Sequence, residues 1–201
     1  MHFIHSTFTV AFLLLVITTR AQVDDVKKWQ EELNAEYKDK FKSPLSVDER
    51  EKFKGHSFYA IGDMYNVKAK LEIRKDNVLI SFKTSTEKVL QNKLYGVLYF
   101  KLNDKNYQLN VYQSPDLMKV PGFEDYLFLP FTDLTTGYET YGGGRYIDLK
   151  IPTNKDEIMI NFNKAYNPYC AYSKNYSCPK VPAENDLSVK IIAGVKLRSD
   201  H

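Results

Sequence analysis

Metal-ligating side chains are scarce in this sequence. Its 201 residues include four histidines and two cysteines. His2 and His5 stand ahead of an apolar run, which leaves His56 and His201 beside Cys170 and Cys178, a set too small and too scattered for a zinc spacing, so no metal site is expected. No Gly-x-Ser-x-Gly elbow, His-Glu-x-x-His helix, EF-hand loop or Gly-x-Gly-x-x-Gly fingerprint occurs. Those absences disfavour a serine hydrolase, a zinc protease, a calcium sensor and a dinucleotide enzyme, and no cofactor is expected. An excess of charge of one sign is missing too. The 28 Lys and Arg against 25 Asp and Glu leave a net charge of +3, and the lysines are spread along the whole chain rather than gathered on one element, so a nucleic-acid partner is not expected. Internal repeats, low-complexity tracts and long linkers are absent, and the length suits one globular domain.

Long hydrophobic runs are few. Residues 8–17 are almost unbroken apolar sequence, too short to span a bilayer comfortably and of the length of a signal-peptide core. Thr19 and Ala21 place small residues three and one positions before a cut, which predicts residues 1–21 as signal peptide and a mature domain over 22–201 in a periplasmic or extracellular space. The alternative, an uncleaved N-terminal anchor, stays open because no Lys or Arg precedes the run. No later segment approaches membrane-spanning length, so no span is expected in the mature chain.

Val26, Trp29, Leu33 and Tyr37 recur at helical spacing among charged residues, predicting an amphipathic helix over residues 24–40. Ser46 followed by Glu49 is a capping-box signal for a second, short helix ending near Phe53. From there the period changes to two. Val67, Ala69, Leu71 and Ile73 alternate with Lys68, Lys70, Glu72 and Arg74, and Lys75-Asp76-Asn77 reads as a turn into a hairpin partner over residues 78–83. Leu98, Phe100 and Leu102 pair in pattern with Tyr107, Leu109 and Val111 across a turn at residues 103–106. Further strands are predicted over 126–131, 145–151, 157–163 and 188–197. The fold class that results is mainly β, with about eight mostly antiparallel strands forming a barrel or half-barrel and a helix ahead of it.

The chemically densest stretch is residues 130–185. In Tyr141-Gly142-Gly143-Gly144-Arg145 three glycines free the backbone to approach a ligand, and Arg145 suits a carboxylate or phosphate; equally, the glycines make a turn and Arg145 pairs with Asp133. A strand rather than a helix follows, which disfavours a phosphate loop. Asn161 and Asn163 fall on one face of a strand leading to Asn167-Pro168, where they orient a polar ligand or satisfy the loop backbone. Cys170 and Cys178 flank a short Tyr-rich loop, and an even count in an exported chain predicts a disulfide contributing about 2.5 kcal/mol. Cys178-Pro179 opens an extended arm that ends at Glu184 and Asn185. Glu184 and Asp133 are the candidate catalytic carboxylates, with Asp148 also in the stretch.

Those same segments, Pro130-Phe131-Thr132-Asp133, Thr140-Tyr141-Gly142-Gly143-Gly144-Arg145-Tyr146, Asn163-Lys164-Ala165-Tyr166-Asn167-Pro168-Tyr169-Cys170-Ala171-Tyr172, Ser177-Cys178-Pro179, Glu184-Asn185 and Ala193-Gly194-Val195-Lys196, resemble domain of unknown function 1684 in order and spacing from Trp29 onward. The resemblance implies a bacterial source and one intact domain, and names no reaction. Where that family carries an aspartate before Phe-Asn this chain has Asn161, which removes a carboxylate from any mechanism there. Three readings of function remain. In the first, a binding module for a small polar molecule or glycan is lined by Gly142, Gly143, Gly144, Arg145, Asn161, Asn163 and Asn167. In the second, a hydrolase or transferase uses Glu184 or Asp133 with Arg145. The third is a structural or partner-binding envelope protein.

Overall fold

Helix α1 (His5–Lys38) buries Val26 and Tyr37 and half-buries Trp29 and Leu33, the stripe that the spacing predicts. The computed structural model describes the backbone of residues 5–154 and 156–197, with side chains from Arg20 onward. The side chains of the apolar run at residues 8–17 therefore lie outside the described residues. Helix α2 (Val47–Lys52) begins at Ser46 with both halves of the capping box made: Glu49 N donates to Ser46 Oγ, and Ser46 N donates to Glu49 Oε2. Among the described residues no helix is long and apolar enough to cross a membrane.

Eight strands follow: β1 (Asn66–Ile73), β2 (Leu79–Lys83), β3 (Val89–Leu102), β4 (Lys105–Gln113), β5 (Tyr126–Asp133), β6 (Arg145–Lys150), β7 (Glu157–Asn161) and β8 (Asp186–Leu187). They form one sheet in the order β6-β5-β4-β3-β1-β7, antiparallel along that path, with β2 pairing β3 and the two-residue β8 joining β5 in parallel. The sheet curls into a half-barrel whose edge strands, β6 and β7, approach each other without pairing. Strand alternation sorts the side chains into two clusters. Leu98, Leu109, Leu129, Ile147 and Ile160 belong to the main core inside the curl. Phe82, Tyr112, Phe128 and Tyr146 form a smaller cluster on the opposite face.

Two sequence expectations are corrected. The turn at Lys75-Asp76-Asn77 does not make a hairpin, because β1 pairs β3 and β7, while β2 pairs the first half of β3. The 14-residue β3 is long enough to serve both in succession, so β1 and β2 lie along one partner rather than against each other. Residues 188–197 are not a strand of the sheet, apart from one bridge between Val195 and Phe58. Their alternation of buried Ile191 and Ala193 with exposed Ile192 is that of a strand, but their backbone bonds go to scattered partners at Leu134, Tyr59, Ala165 and Ser57, and the side chains described below serve Ile191 and Ala193. The β3–β4 hairpin forms as expected, with Asn103 and Asp104 both at positive φ (50° and 58°), the twist of a type I′ turn.

Candidate functional site

The residues picked out by sequence do not meet in one concave site. Arg145 and Asp133 pair at 3.3 Å with both side chains wholly buried. The guanidinium also donates to the backbone oxygens of Ile191, at 2.9 Å, and Ala193. Asp133 accepts from Ile191 N at 2.6 Å and from Thr135 Oγ1. Burial pulls the Arg145 guanidinium below its ordinary value and the neighbouring Asp133 pushes it back up. This pair ties Ile191 and Ala193 to the ends of β5 and β6; Arg145 Nε has no partner among the described residues, but the side chain is wholly enclosed, so neither Arg145 nor Asp133 is open to a ligand or substrate.

The asparagines are committed to the fold except at Asn167 Oδ1, a buried acceptor with no partner among the described residues. Asn163 exchanges hydrogen bonds with the backbone of Gly62, both at 3.0 Å, and donates to Asn161 Oδ1. Asn167 Nδ2 donates to Lys196 O and to Tyr172 Oη. Gly142 and Gly143 lie on the surface, and only Gly144 has positive φ (84°). Glu184 is exposed and borders none of the described cavities. Satisfaction of loop backbone, the second meaning allowed for these residues, describes Asn163 and Asn167.

A cleft of about 580 Å³ lies elsewhere, between α1 and the outer face of β6. Because Ile147 points into the main core, Tyr146 and Asp148 on either side of it point out, toward the helix. Trp29, Glu32, Leu33 and Glu36, one face of α1, form the opposite wall. Tyr166, Pro168, Tyr169 and residues 176–179 complete the lining. Asp148 is the central acid. Its Oδ1 accepts from Tyr126 Oη and from Tyr166 Oη, each at 2.7 Å, while Oδ2 accepts no hydrogen bond among the described residues. Tyr169 Oη donates to Glu36 Oε1 across the cleft. Asp148 also borders a smaller groove of about 320 Å³ between β6 and β7, where Asn161 lies and Lys164 pairs with Asp25.

Asp148 is exposed at the cleft mouth with protein packed on its other sides, and this partial desolvation raises its carboxyl above the ordinary 3.8. The two tyrosine donors oppose the rise and Glu36 adds to it. The same burial pushes Tyr166 far up, so both tyrosines are neutral donors at physiological pH. A folded value above the unfolded one means that stability from Asp148 is full below the ordinary carboxylate range and is lost as pH rises through the raised value. Asp148→Asn keeps the Oδ1 acceptor and removes the charge. It is expected to raise the stability of the ligand-free protein at neutral pH by about 0.5–1 kcal/mol, a gain kept small by the open mouth, and to flatten the decline in Tm between pH 4 and 7. Melting curves of both proteins across that range measure this.

Cys178 borders the cleft and Cys170 lies beside it, the Cys170 amide donating to Cys178 Sγ at 3.1 Å. Both are thiols in this structure. The hydrogen bond from the Cys178 thiol lowers Cys170 to about 6, with help from Tyr141, and Cys178 is correspondingly pushed up. A second cavity of about 620 Å³, between α2 and Lys196, mixes Asp48, Glu49, Lys52, Lys54 and His56, so that no single charge dominates its wall. Among the described residues no group of three or more His, Cys, Asp or Glu is placed to hold a metal ion.

The cleft has no local signature in the sequence, because its acid and its two tyrosine partners lie 22 and 18 residues apart on separate elements. The one signal the sequence carries is the outward parity of Tyr126 and Tyr146 with Asp148 on neighbouring strands.

Residues 51–196 match the family described as "Protein of unknown function (DUF1684)". The solution NMR structure of an uncharacterized protein from Haloarcula marismortui is similar to this chain, with a TM-score of 0.71 and 29% identity over 92% of this chain and 98% of that one. No curated protein matches.

Proposed function

The chain belongs to the DUF1684 family, whose description assigns no activity, and from that premise we propose that it is an exported module that binds a small polar molecule or glycan in the cleft between α1 and β6. The observation that carries this reading is Asp148. A carboxylate oriented by two tyrosine hydroxyls, with its second oxygen uncommitted and aromatic side chains around it, is a preorganised recognition group. Aromatic faces and carboxylates together serve a sugar ring or a compact polar metabolite. The enzymatic reading that relied on Glu184 or Asp133 draws no support, since neither borders the cleft.

A thermal-shift screen of metabolites and glycans tests the proposal with wild type, Asp148→Asn and Glu184→Ala side by side. Compounds that stabilise wild type are expected to stabilise Glu184→Ala equally and Asp148→Asn less. Hits that ignore Asp148 and depend on Glu184 would overturn it. Export is supported by the apolar run at residues 8–17 and by Thr19 and Ala21. In an oxidising compartment the adjacent thiols of Cys170 and Cys178 pair. Intact mass of the exported protein without reductant is then two hydrogens short of the dithiol; two alkylatable thiols would contradict the pairing.

A further inference from the structure

We infer that the cleft takes an organic cation, a primary amine carried on an aromatic or sugar body, with its ammonium group against Asp148 and Glu36. This rests on the reading of the cleft as a binding site and names the chemistry of its ligand. The charge of the walls is the first reason. Glu32, Glu36 and Asp148 line the cleft, and no Lys, Arg or His does, in a chain whose overall charge is +3. An anionic ligand would meet three carboxylates and no opposing charge, which excludes phosphates and organic acids on desolvation and repulsion alone.

The second reason is the distribution of hydrogen bonds. Tyr126 and Tyr166 donate to Asp148 Oδ1 and Tyr169 donates to Glu36 Oε1, so each carboxylate is fixed through one oxygen. Asp148 Oδ2 and Glu36 Oε2 accept nothing among the described residues. An ammonium group brings three donors and no acceptor, the complement of two acceptors that lack donors. The aromatic wall is the third reason. Trp29, Tyr146, Tyr166, Tyr169 and Tyr176 line the same space, and ring faces attract an ammonium group while covering the apolar body that carries it. A bare metal ion gains nothing from those faces, and the three acids are not clustered as metal ligands. Glu36 and Asp148 repel each other across the cleft, and a cation between them relieves that repulsion.

The test is titration calorimetry of the full chain with two matched pairs, 2-phenylethylamine against 2-phenylethanol and glucosamine against N-acetylglucosamine. The expected result is that at least one amine binds about tenfold or more tightly than its uncharged partner, and that Asp148→Asn and Glu36→Gln each bring it toward the uncharged level. Glu36→Gln is the safeguard should the Asp148 variant fold poorly. Equal or stronger binding of the uncharged partners, lost on Trp29→Ala, would overturn the cation while leaving the cleft as a binding site. No heat from any of the four, with wild type stabilised by other, uncharged compounds in the thermal-shift screen, would overturn the cation in the same way. Binding unaffected by Asp148→Asn, Glu36→Gln and Trp29→Ala would remove both readings.

Discussion

Asp133→Asn will destabilise the protein by about 3–5 kcal/mol, the cost of leaving a buried charge without its partner. Arg145 has no route to water: its side chain is wholly enclosed, and apart from Asp133 its guanidinium faces Thr135 and the carbonyls of Ile191 and Ala193. Neutral asparagine cannot balance that charge, and with one oxygen it serves Ile191 N or Thr135 Oγ1 less well than the carboxylate does. Because the pair supplies the hydrogen bonds at Ile191 and Ala193, between the backbone bonds that hold Val189 and residues 194–197, the loss should centre on residues 190–193. Urea unfolding measures the fall in midpoint, and hydrogen exchange at the Ile191 amide, which donates to Asp133, should accelerate first. Arg145→Met with Asp133→Leu removes both charges and should recover part of the loss, but not all, since the two carbonyls then have no donor.

Gly144→Ala is expected to cost about 3 kcal/mol, whereas Gly142→Ala should stay within about 0.5 kcal/mol. The two glycines sit two residues apart and look alike in sequence. At Gly144 φ is 84°, and an added Cβ would stand 2.7 Å from the Phe131 carbonyl oxygen and 2.5 Å from Val181 Cγ2. The carbonyl belongs to β5 and cannot move without disturbing its pairing with β6. At Gly142 the nearest atom is the Gly137 Cα, 3.8 Å away, an ordinary contact. Thermal melts of the two variants at one pH separate a ligand-approach role, which predicts similar small effects on stability, from the turn that the backbone shows.

Local pattern revealed most of the fold. The alternation at Val67 to Ile73, the capping box at Ser46 and the Asn103-Asp104 turn each depend on neighbours within a few residues, and each forms. Pairing was less legible, since whether β2 joins β1 or β3 depends on the length of β3, a long-range property. The candidate site was the least legible. Arg145, Asp133, Asn163 and Gly144 stand out in a dense stretch, but the first three are there to close loop backbone at Ile191, Ala193 and Gly62, and Gly144 to make a turn with no room for a Cβ. The cleft is made of tyrosines, a carboxylate and one helix face, ordinary on their own elements and distinctive only after β6 and α1 come together.

Trp29 is the chain's single tryptophan and lies in the cleft wall, so its fluorescence reports occupancy without a label. Titrating each stabilising compound into wild-type protein and following Trp29 emission tests the assignment of the cleft most directly. Emission should change and saturate over the concentrations at which each compound stabilises the fold. Compounds that raise Tm through their full binding range while Trp29 emission stays constant would place the binding site elsewhere.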